Sequence, residues 1–468
     1  MKFDFDIAIL GGGSAGYACA RTAAAARLRA VVVEGGEEVG GLCILRGCMP
    51  SKALLYASEV LHLARHASTW GIDVPKAAFN HPRVMARKDS LIREFADYRR
   101  RQLEDGRFTF VRARARFMDP HTLSLDSGER LTAGHFVVAT GSVVSEPPLP
   151  QLRTAGYITS DQALVAKELP KSIIVLGGGL VAVEAAQYFT RLDVRVTQIQ
   201  RGKQLLTEFD SDAAAVIETV FRREGIELFT GTRLLDAGRS PGGKYVTFDH
   251  AGGTTTVEAE EILLALGRTP NTASLDLPRA GVATDGCRIV TNDRMQTSVP
   301  RIYAAGDCTG PHEIVHLAVQ QGEIAARNIA QPDHPATMDY RLLTSVVFTD
   351  PQVAVVGLNE MEAGAARIPH LAASHPFNDH GKSLIMDARD GFVKLIADPV
   401  SGEILGGCCV GPVGGELIHE IIAAMAKRMT VHELAAMPHY HPTLAEIWTY
   451  PAEELADQIR QNQPPPDA

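Results

Sequence analysis

Long apolar runs are missing from this 468-residue sequence. No stretch approaches the ~20 residues that a membrane-spanning helix needs, so no membrane partner is expected. A basic excess is missing too. The net charge is −9, which argues against a general affinity for nucleic acid or anionic lipid. The one basic stretch, Arg99 to Arg116, contains VRARARF, an alternation that sets Arg112, Arg114 and Arg116 on one solvated face of a strand. Cysteine is sparse: seven residues at irregular spacings, which excludes a disulfide scaffold and leaves any close pair for catalysis or metal binding. The opening MKFDFDIAIL carries acidic residues where a signal peptide would be apolar, so a cytoplasmic protein is expected. What remains is 45% apolar and 22% charged, the composition of a globular chain too long for one core, with about three domains expected.

Against these absences stands an internal repeat. DFDIAILGGGSAGYACARTAAAARLRAVVVE reads as strand, glycine turn, helix and strand, and KSIIVLGGGLVAVEAAQYFTRLDVRVTQIQ reads the same way 166 residues later. Gly11, Gly13 and Gly16 of the first unit correspond to Gly177, Gly179 and Ala182 of the second. The first position allows a tight turn, the second lets backbone approach a pyrophosphate, and the third lets helix pack on strand. The helix N-terminus, beginning near Ser14 in the first unit, then offers N–H groups and partial positive charge to phosphates. Two such units predict two dinucleotides. Glu34, closing the second strand of the first unit, suits a ribose of FAD or NAD. Its counterpart is neutral Gln200, followed by Arg201 and Lys203, which leans the second unit toward NADPH, although Arg201 also reads as a plain surface charge.

Between the units lies GGLCILRGCMPSKALLYASEVLHLARHA, in which Cys43 and Cys48 precede a helix expected to begin around Pro50. A zinc site would want a second Cys or His pair at comparable spacing, and none is present. A helix N-terminus and Lys52 would both stabilise a thiolate, so redox use is favoured over structure or metal.

This motif, G-G-x-C-x₄-G-C-x-P-S-K, closely resembles the active disulfide of the dihydrolipoamide dehydrogenase, glutathione reductase and mercuric reductase family, and the resemblance covers nearly the whole chain. ATG at 139–141 and GRTPN from Gly267 resemble the family's connecting segments, which implies Thr140 and Gly141 at the FAD and Gly267 at the nicotinamide nucleotide. TSVPRIYAAGDC resembles its second FAD fingerprint, which implies that Asp307 contacts the cofactor. The resemblance implies that Cys43 exchanges with a substrate disulfide and that Cys48 lies against the flavin. It further implies that Lys52 sits near the flavin, paired with Glu184. The segment HYHPTLAE resembles the family's HxHPTxxE, which assigns His441 as acid/base and Glu446 as its orienting carboxylate, with His439 structural. Thr443-x-x-Glu446 also reads as a helix capping box. Since the family's histidine comes from a partner subunit, a homodimer is implied. The stripe Leu417, Ile418, Ile421, Ile422 and Met425 suits either an interface or the chain's own core.

The expected fold is α/β: two Rossmann-like dinucleotide-binding domains, for FAD and NAD(P), plus an α+β C-terminal dimerisation domain. The expected division is residues 1–146 and 267–340 for FAD, 147–266 for NAD(P), 341–460 for the interface, and a disordered tail at 461–468. The expected activity is that of an FAD-dependent NAD(P)H:disulfide oxidoreductase acting on lipoamide or a related disulfide, within a multienzyme complex or free. Glutathione-reductase-like and mercuric-reductase-like NADPH enzymes are the alternatives. The mercuric reading is weakened because no cysteine follows Cys409 and His441 is kept. A docking component or redox sensor is the alternative of another class.

Overall fold

The glycine turns predicted above are built in the way their spacing requires, as a computed structural model describing residues 2–462 shows. The chain forms two compact units. One comprises residues 1–53, 82–146 and 267–338, and the other 54–81, 147–266 and 339–468.

In the first unit, strand Phe5–Leu10 lies parallel between Ala30–Glu34 and the long strand Arg130–Val138, with Thr109–Arg112 beyond Ala30–Glu34. The far end of Arg130–Val138 also pairs in parallel with Ile302–Ala304, while its near end joins an antiparallel pair. These strands carry uninterrupted apolar runs such as AVVV because both sheet faces are covered. Helix Ser14–Ala25 is rich in alanine and packs closely on helix Val315–Ala330. A Cβ added at Gly322 would lie 2.2 Å from the Ala15 carbonyl oxygen, so glycine sets that approach. The VRARARF stretch breaks into Thr109–Arg112 and Ala115–Asp119, yet Arg112, Arg114 and Arg116 are all exposed while Ala113 and Phe117 are buried.

The second unit holds a parallel sheet in the order Glu227–Phe229, Arg195–Ile199, Ser172–Leu176, Glu261–Leu264, Ile158–Thr159. An antiparallel meander, Arg233–Ser240, Gly243–His250 and Gly253–Ala259, follows it in sequence. Its C-terminal part is a five-stranded antiparallel sheet in the order Thr344–Val347, Gln352–Gly357, Ile404–Gly411, Phe392–Ala397, Leu371–Pro376. Helices Gly414–Ala426, Val431–Ala436 and Thr449–Asn462 accompany it. The stripe Leu417, Ile418, Ile421 and Met425 is spent on this core, together with the fully buried Trp448. Of the expected tail, residues 461 and 462 end the last helix, and residues 463–468 lie outside the described residues. Among the described residues no helix is long and apolar enough to cross a membrane. The fold is thus α/β with an α+β C-terminal part, as expected.

Candidate active site

The first glycine turn is shaped by two close approaches. Gly11 has φ +106°, and a Cβ there would meet the Ala139 oxygen at 2.4 Å; a Cβ at Gly16 would meet the Gly11 oxygen at 1.8 Å. Helix Ser14–Ala25 starts at Gly13 with no side-chain cap, so its first-turn N–H groups face outward for an anion. Glu34 closes the second strand as expected. Its Oε2 accepts from Gly12 N and its Oε1 from Gly36 N, both at 2.7 Å. A carboxylate has about four acceptor positions, so a ribose hydroxyl can still be accommodated.

Thr140 Oγ1 is buried and has no hydrogen-bond partner among the described residues. Beside it, Gly141 turns with φ +68° and its carbonyl accepts from Asn271 N at 2.9 Å. Asp307 opens a 3₁₀ turn and accepts from Ser142 Oγ at 2.8 Å. Gly267, expected at the nicotinamide nucleotide, belongs to this same unit and leads into strand Arg268–Pro270, which pairs with Ser142–Val144. An uncapped helix end, a tight glycine turn, a strand-end carboxylate and an unsatisfied buried hydroxyl together fit FAD.

The redox segment leans directly on this turn. A Cβ at Gly41, where φ is +76°, would fall 2.6 Å from Gly13 Cα, so the backbone carrying the cysteines and the backbone expected to cradle the pyrophosphate touch. The structure corrects the expected helix start. Cys43 sits within a short helix of its own, Gly41–Arg46, and Cys48 rather than Pro50 begins the long helix Cys48–Arg65. Gly47 makes the reversal between them, with room for a Cβ only 3.0 Å from the Leu42 oxygen. Pro50 therefore falls in the first turn, where its missing N–H costs nothing.

Cys43 and Cys48 are both partly exposed, and neither is drawn into a disulfide with another cysteine. The Cys43 thiol is pushed well above the ordinary thiol range, first by donating to Cys48, then by burial and by charge on Cys48; Lys52 opposes this. Both the hydrogen bond to Cys48 and burial thus favour the protonated form of Cys43. The other cysteines differ. Burial pushes Cys308 and Cys408 up to about 12, and it also raises Cys19 and Cys409 well above the ordinary thiol value. Arg99, not singled out from sequence, stacks on Tyr17 at 4.3 Å and has a buried Nη1 with no hydrogen-bond acceptor.

The second glycine turn repeats the first. Gly177 has φ +125° with no room for a Cβ, helix Leu180–Arg191 starts uncapped at Gly179, and Ala182 is buried. The strand ends at Ile199, one residue short of expectation, but Gln200 N continues the ladder to Phe229 O at 2.8 Å. The Gln200 side chain lies over Gly178, whereas Arg201 and Lys203 are exposed. Glu184 is buried on this helix and accepts from Phe348 N at 3.0 Å.

Near the C-terminus His441 Nδ1 donates to Glu446 Oε2 at 2.9 Å. The histidine side chain is 78% exposed and that of the glutamate 11%. Thr443 does not cap with Glu446. The 3₁₀ turn Ala445–Trp448 starts at Leu444 with no side-chain cap, which leaves the carboxylate for the histidine. Trp448 anchors the turn, fully buried and donating from Nε1 to Leu417 O at 3.2 Å. His439 is structural, with Nε2 on Glu420 and Nδ1 on Met437 O. Sequence reasoning missed His380 and Ser383, both buried, which lie behind Glu446.

Comparison with known proteins agrees with this geometry. Residues 5–322 match the family described as pyridine nucleotide-disulphide oxidoreductase, and residues 343–452 match that family's dimerisation domain. Dihydrolipoyl dehydrogenase of Chlamydia pneumoniae is 32% identical over 96% of this chain and 96% of its own. That of Geobacillus stearothermophilus is 33% identical over 95% of each. The crystal structure of LpdA from Mycobacterium tuberculosis superposes with a TM-score of 0.86 at 29% identity, covering 96% of this chain and 99% of that one. The chain belongs to the pyridine nucleotide-disulphide oxidoreductase family.

Proposed function

We propose that this chain is a dihydrolipoamide dehydrogenase-type enzyme that works as a homodimer in the reducing cytoplasm and couples a nicotinamide nucleotide to a lipoamide-type disulfide. The observation that carries the reading is the Cys43–Cys48 pair seated on the FAD turn, in a chain that also keeps an exposed histidine backed by a buried carboxylate. FAD, when bound, supplies a two-electron carrier between the nicotinamide and the dithiol. The groups fitted to hold it are Gly11, Gly13, Ser14, Gly16, Glu34, Thr140, Gly141 and Asp307.

The chain's own residues carry the exchange. His441 takes the proton that Cys43 retains, and the Cys43 sulfur attacks the substrate disulfide. One substrate thiol leaves with the proton from His441. The Cys48 thiolate then attacks Cys43 and leaves a Cys43–Cys48 disulfide, and the second substrate sulfur departs as a thiolate that takes a proton from solvent. Two electrons and a proton from NAD(P)H restore the Cys43 thiol and the Cys48 thiolate, so NAD(P)H, a solvent proton and lipoamide become NAD(P)⁺ and dihydrolipoamide. Run backward, the same steps oxidise the dithiol, and the relative potentials set the direction.

The nicotinamide site is formed on Gly177, Gly179 and Ala182, and its nucleotide is NADPH. The support is a neutral Gln200 folded over the turn, with exposed Arg201 and Lys203 following, a pattern that accepts a 2′-phosphate which a carboxylate there would repel. The test is oxidation of NADH and NADPH side by side with lipoamide as acceptor. Rapid lipoamide turnover with a lower KM for NADPH is expected, and Arg201→Glu raises that KM more than the KM for NADH. Flavin reduction without lipoamide turnover overturns the substrate assignment. A lower KM for NADH overturns the nucleotide assignment alone.

A further inference from the structure

Glu446 has two oxygens and only one of them serves His441. The other, Oε1, lies 3.3 Å from Nε2 of His380, close enough for an attraction but short of the alignment of a full hydrogen bond. His380 is buried, Nε2 makes no hydrogen bond among the described residues, and the Glu446 carboxylate lies beside it. Its Nδ1 lies 2.7 Å from the hydroxyl of Ser383, itself fully buried. The ring is edge-on to Phe377 and to Tyr450, both at 6.4 Å, and Tyr450 stacks on His375 at 4.0 Å.

The charges around His380 decide its protonation state. Burial disfavours the imidazolium most strongly; Glu446 favours it, and His375 and His441 disfavour it, leaving a net downward shift. The ring is therefore neutral near pH 7, with one N–H. A carboxylate only accepts, so the arrangement that satisfies both contacts puts that hydrogen on Nε2 and has Ser383 donate to Nδ1. Ser383 then fixes the tautomer, and His380 presents an N–H to Glu446.

We propose that His380, locked by Ser383, is a positioning residue for the acid/base pair: it holds the second oxygen of Glu446 so that the first stays on His441 Nδ1. A carboxylate held at one oxygen alone can rotate about its terminal bond. Held at both, it keeps the His441 proton on Nδ1 and leaves Nε2 as the base. The effect on chemistry is indirect, because His380 is buried away from any substrate that meets the exposed His441 ring.

This proposal rests on the acid/base reading of His441, so both are tested together in the purified holoenzyme. Lipoamide-dependent turnover and anaerobic flavin reduction by nicotinamide are measured for His380→Leu, His380→Gln, Ser383→Ala and His441→Ala. In His380→Leu, kcat with lipoamide falls about tenfold, the scale of one lost donor to a buried charge, while KM and flavin reduction hold. His380→Gln, which keeps a donor at the position of Nε2, recovers most of that loss. Ser383→Ala, which removes only a hydroxyl, lowers kcat by a smaller factor and serves if the leucine variant fails to fold. Wild-type kcat in both His380→Leu and Ser383→Ala overturns the positioning role, and so does a His380→Gln enzyme as slow as His380→Leu. If His441→Ala keeps full lipoamide turnover, the base assignment itself falls and takes this proposal with it.

Discussion

Glu446→Gln isolates the charge behind the base without changing its volume. In the native site one carboxylate oxygen accepts from His441 Nδ1 at 2.9 Å, and the glutamate is almost wholly buried. When His441 takes the Cys43 proton it becomes a cation, and the carboxylate is the anion that faces it. The amide is neutral, and whichever way it flips, its NH₂ points at one of two ring N–H groups, His441 Nδ1–H or His380 Nε2–H. A hydrogen bond to a charged group contributes about 1.5–3 kcal/mol, so the lost stabilisation corresponds to roughly 10- to 150-fold in rate. The interaction matters most where charge develops, so kcat for lipoamide reduction should carry the loss and KM should not. Stopped-flow mixing with nicotinamide alone should show flavin reduction at the wild-type rate. An equal loss in both half-reactions would refute the argument, because the carboxylate would then be holding the fold and not the base.

Cys48→Ala should abolish disulfide turnover. It should also make Cys43 alkylate faster at neutral pH, since Cys48 is the largest of the influences that hold its proton; an unchanged alkylation midpoint would assign that proton to burial instead. Gly16→Ala, whose Cβ would stand 1.8 Å from the Gly11 oxygen, should yield protein with little bound flavin, read from the flavin-to-protein absorbance ratio, and full occupancy would contradict the turn geometry. Lys394 is a buried ammonium with Asp210 at 2.9 Å and Asp212 and Glu360 at 2.7 Å, so Lys394→Met should lose about 3–5 kcal/mol in urea denaturation. Burial alone would lower the Lys394 pKa, but the three carboxylates hold it above its ordinary 10.5, so its contribution is complete below that value and fades as pH rises through the raised one. Burial alone would raise Asp210, but Lys394 and two backbone donors hold it below 3.8, so its share fades only as pH falls through that lowered value. The stability gap between wild type and variant should therefore be flat through neutral pH.

The features legible in the sequence are those whose physics is local. Gly16 is required by a contact within one turn of chain, Gly11 by its own positive φ, and Glu34 follows from where a strand of known length must end. The same reading fails where several local outcomes compete. The long helix was expected from Pro50 because proline marks first turns, but Gly47 permits a reversal that lets Cys48 start it and gives Cys43 a short helix of its own. Thr443-x-x-Glu446 has the spelling of a capping box, as do Thr430-x-x-Glu433 and Asn359-x-x-Glu362. The latter two form both reciprocal bonds, and the first forms neither because its carboxylate is engaged by His441. Periodicity showed that Leu417, Ile418, Ile421 and Met425 are buried, but not against what; the structure places them in the chain's own core. His380 was illegible altogether, since HGKS has no catalytic spelling. Its value arises only when the loop after strand Leu371–Pro376 folds behind the turn that carries Glu446.

The two halves of the proposed chemistry meet on one proton. In the first unit Cys43 donates to Cys48 and is partly buried, and Lys52 offsets those effects without cancelling them. Such a sulfur is protected from stray oxidants and metals when no substrate is present, because the thiolate is the reactive form. The protection has a kinetic cost, since exchange at Cys43 cannot begin until something removes the proton. In the second unit a buried carboxylate engages Nδ1 of an exposed imidazole, an arrangement that suits an acceptor for an external thiol proton. A reactive, low-pKa Cys43 would have made that histidine dispensable. Under the proposed mechanism a raised Cys43 thiol calls for such a base, so the electrostatics around Cys43 support the roles proposed for His441 and Glu446 independently of the motif.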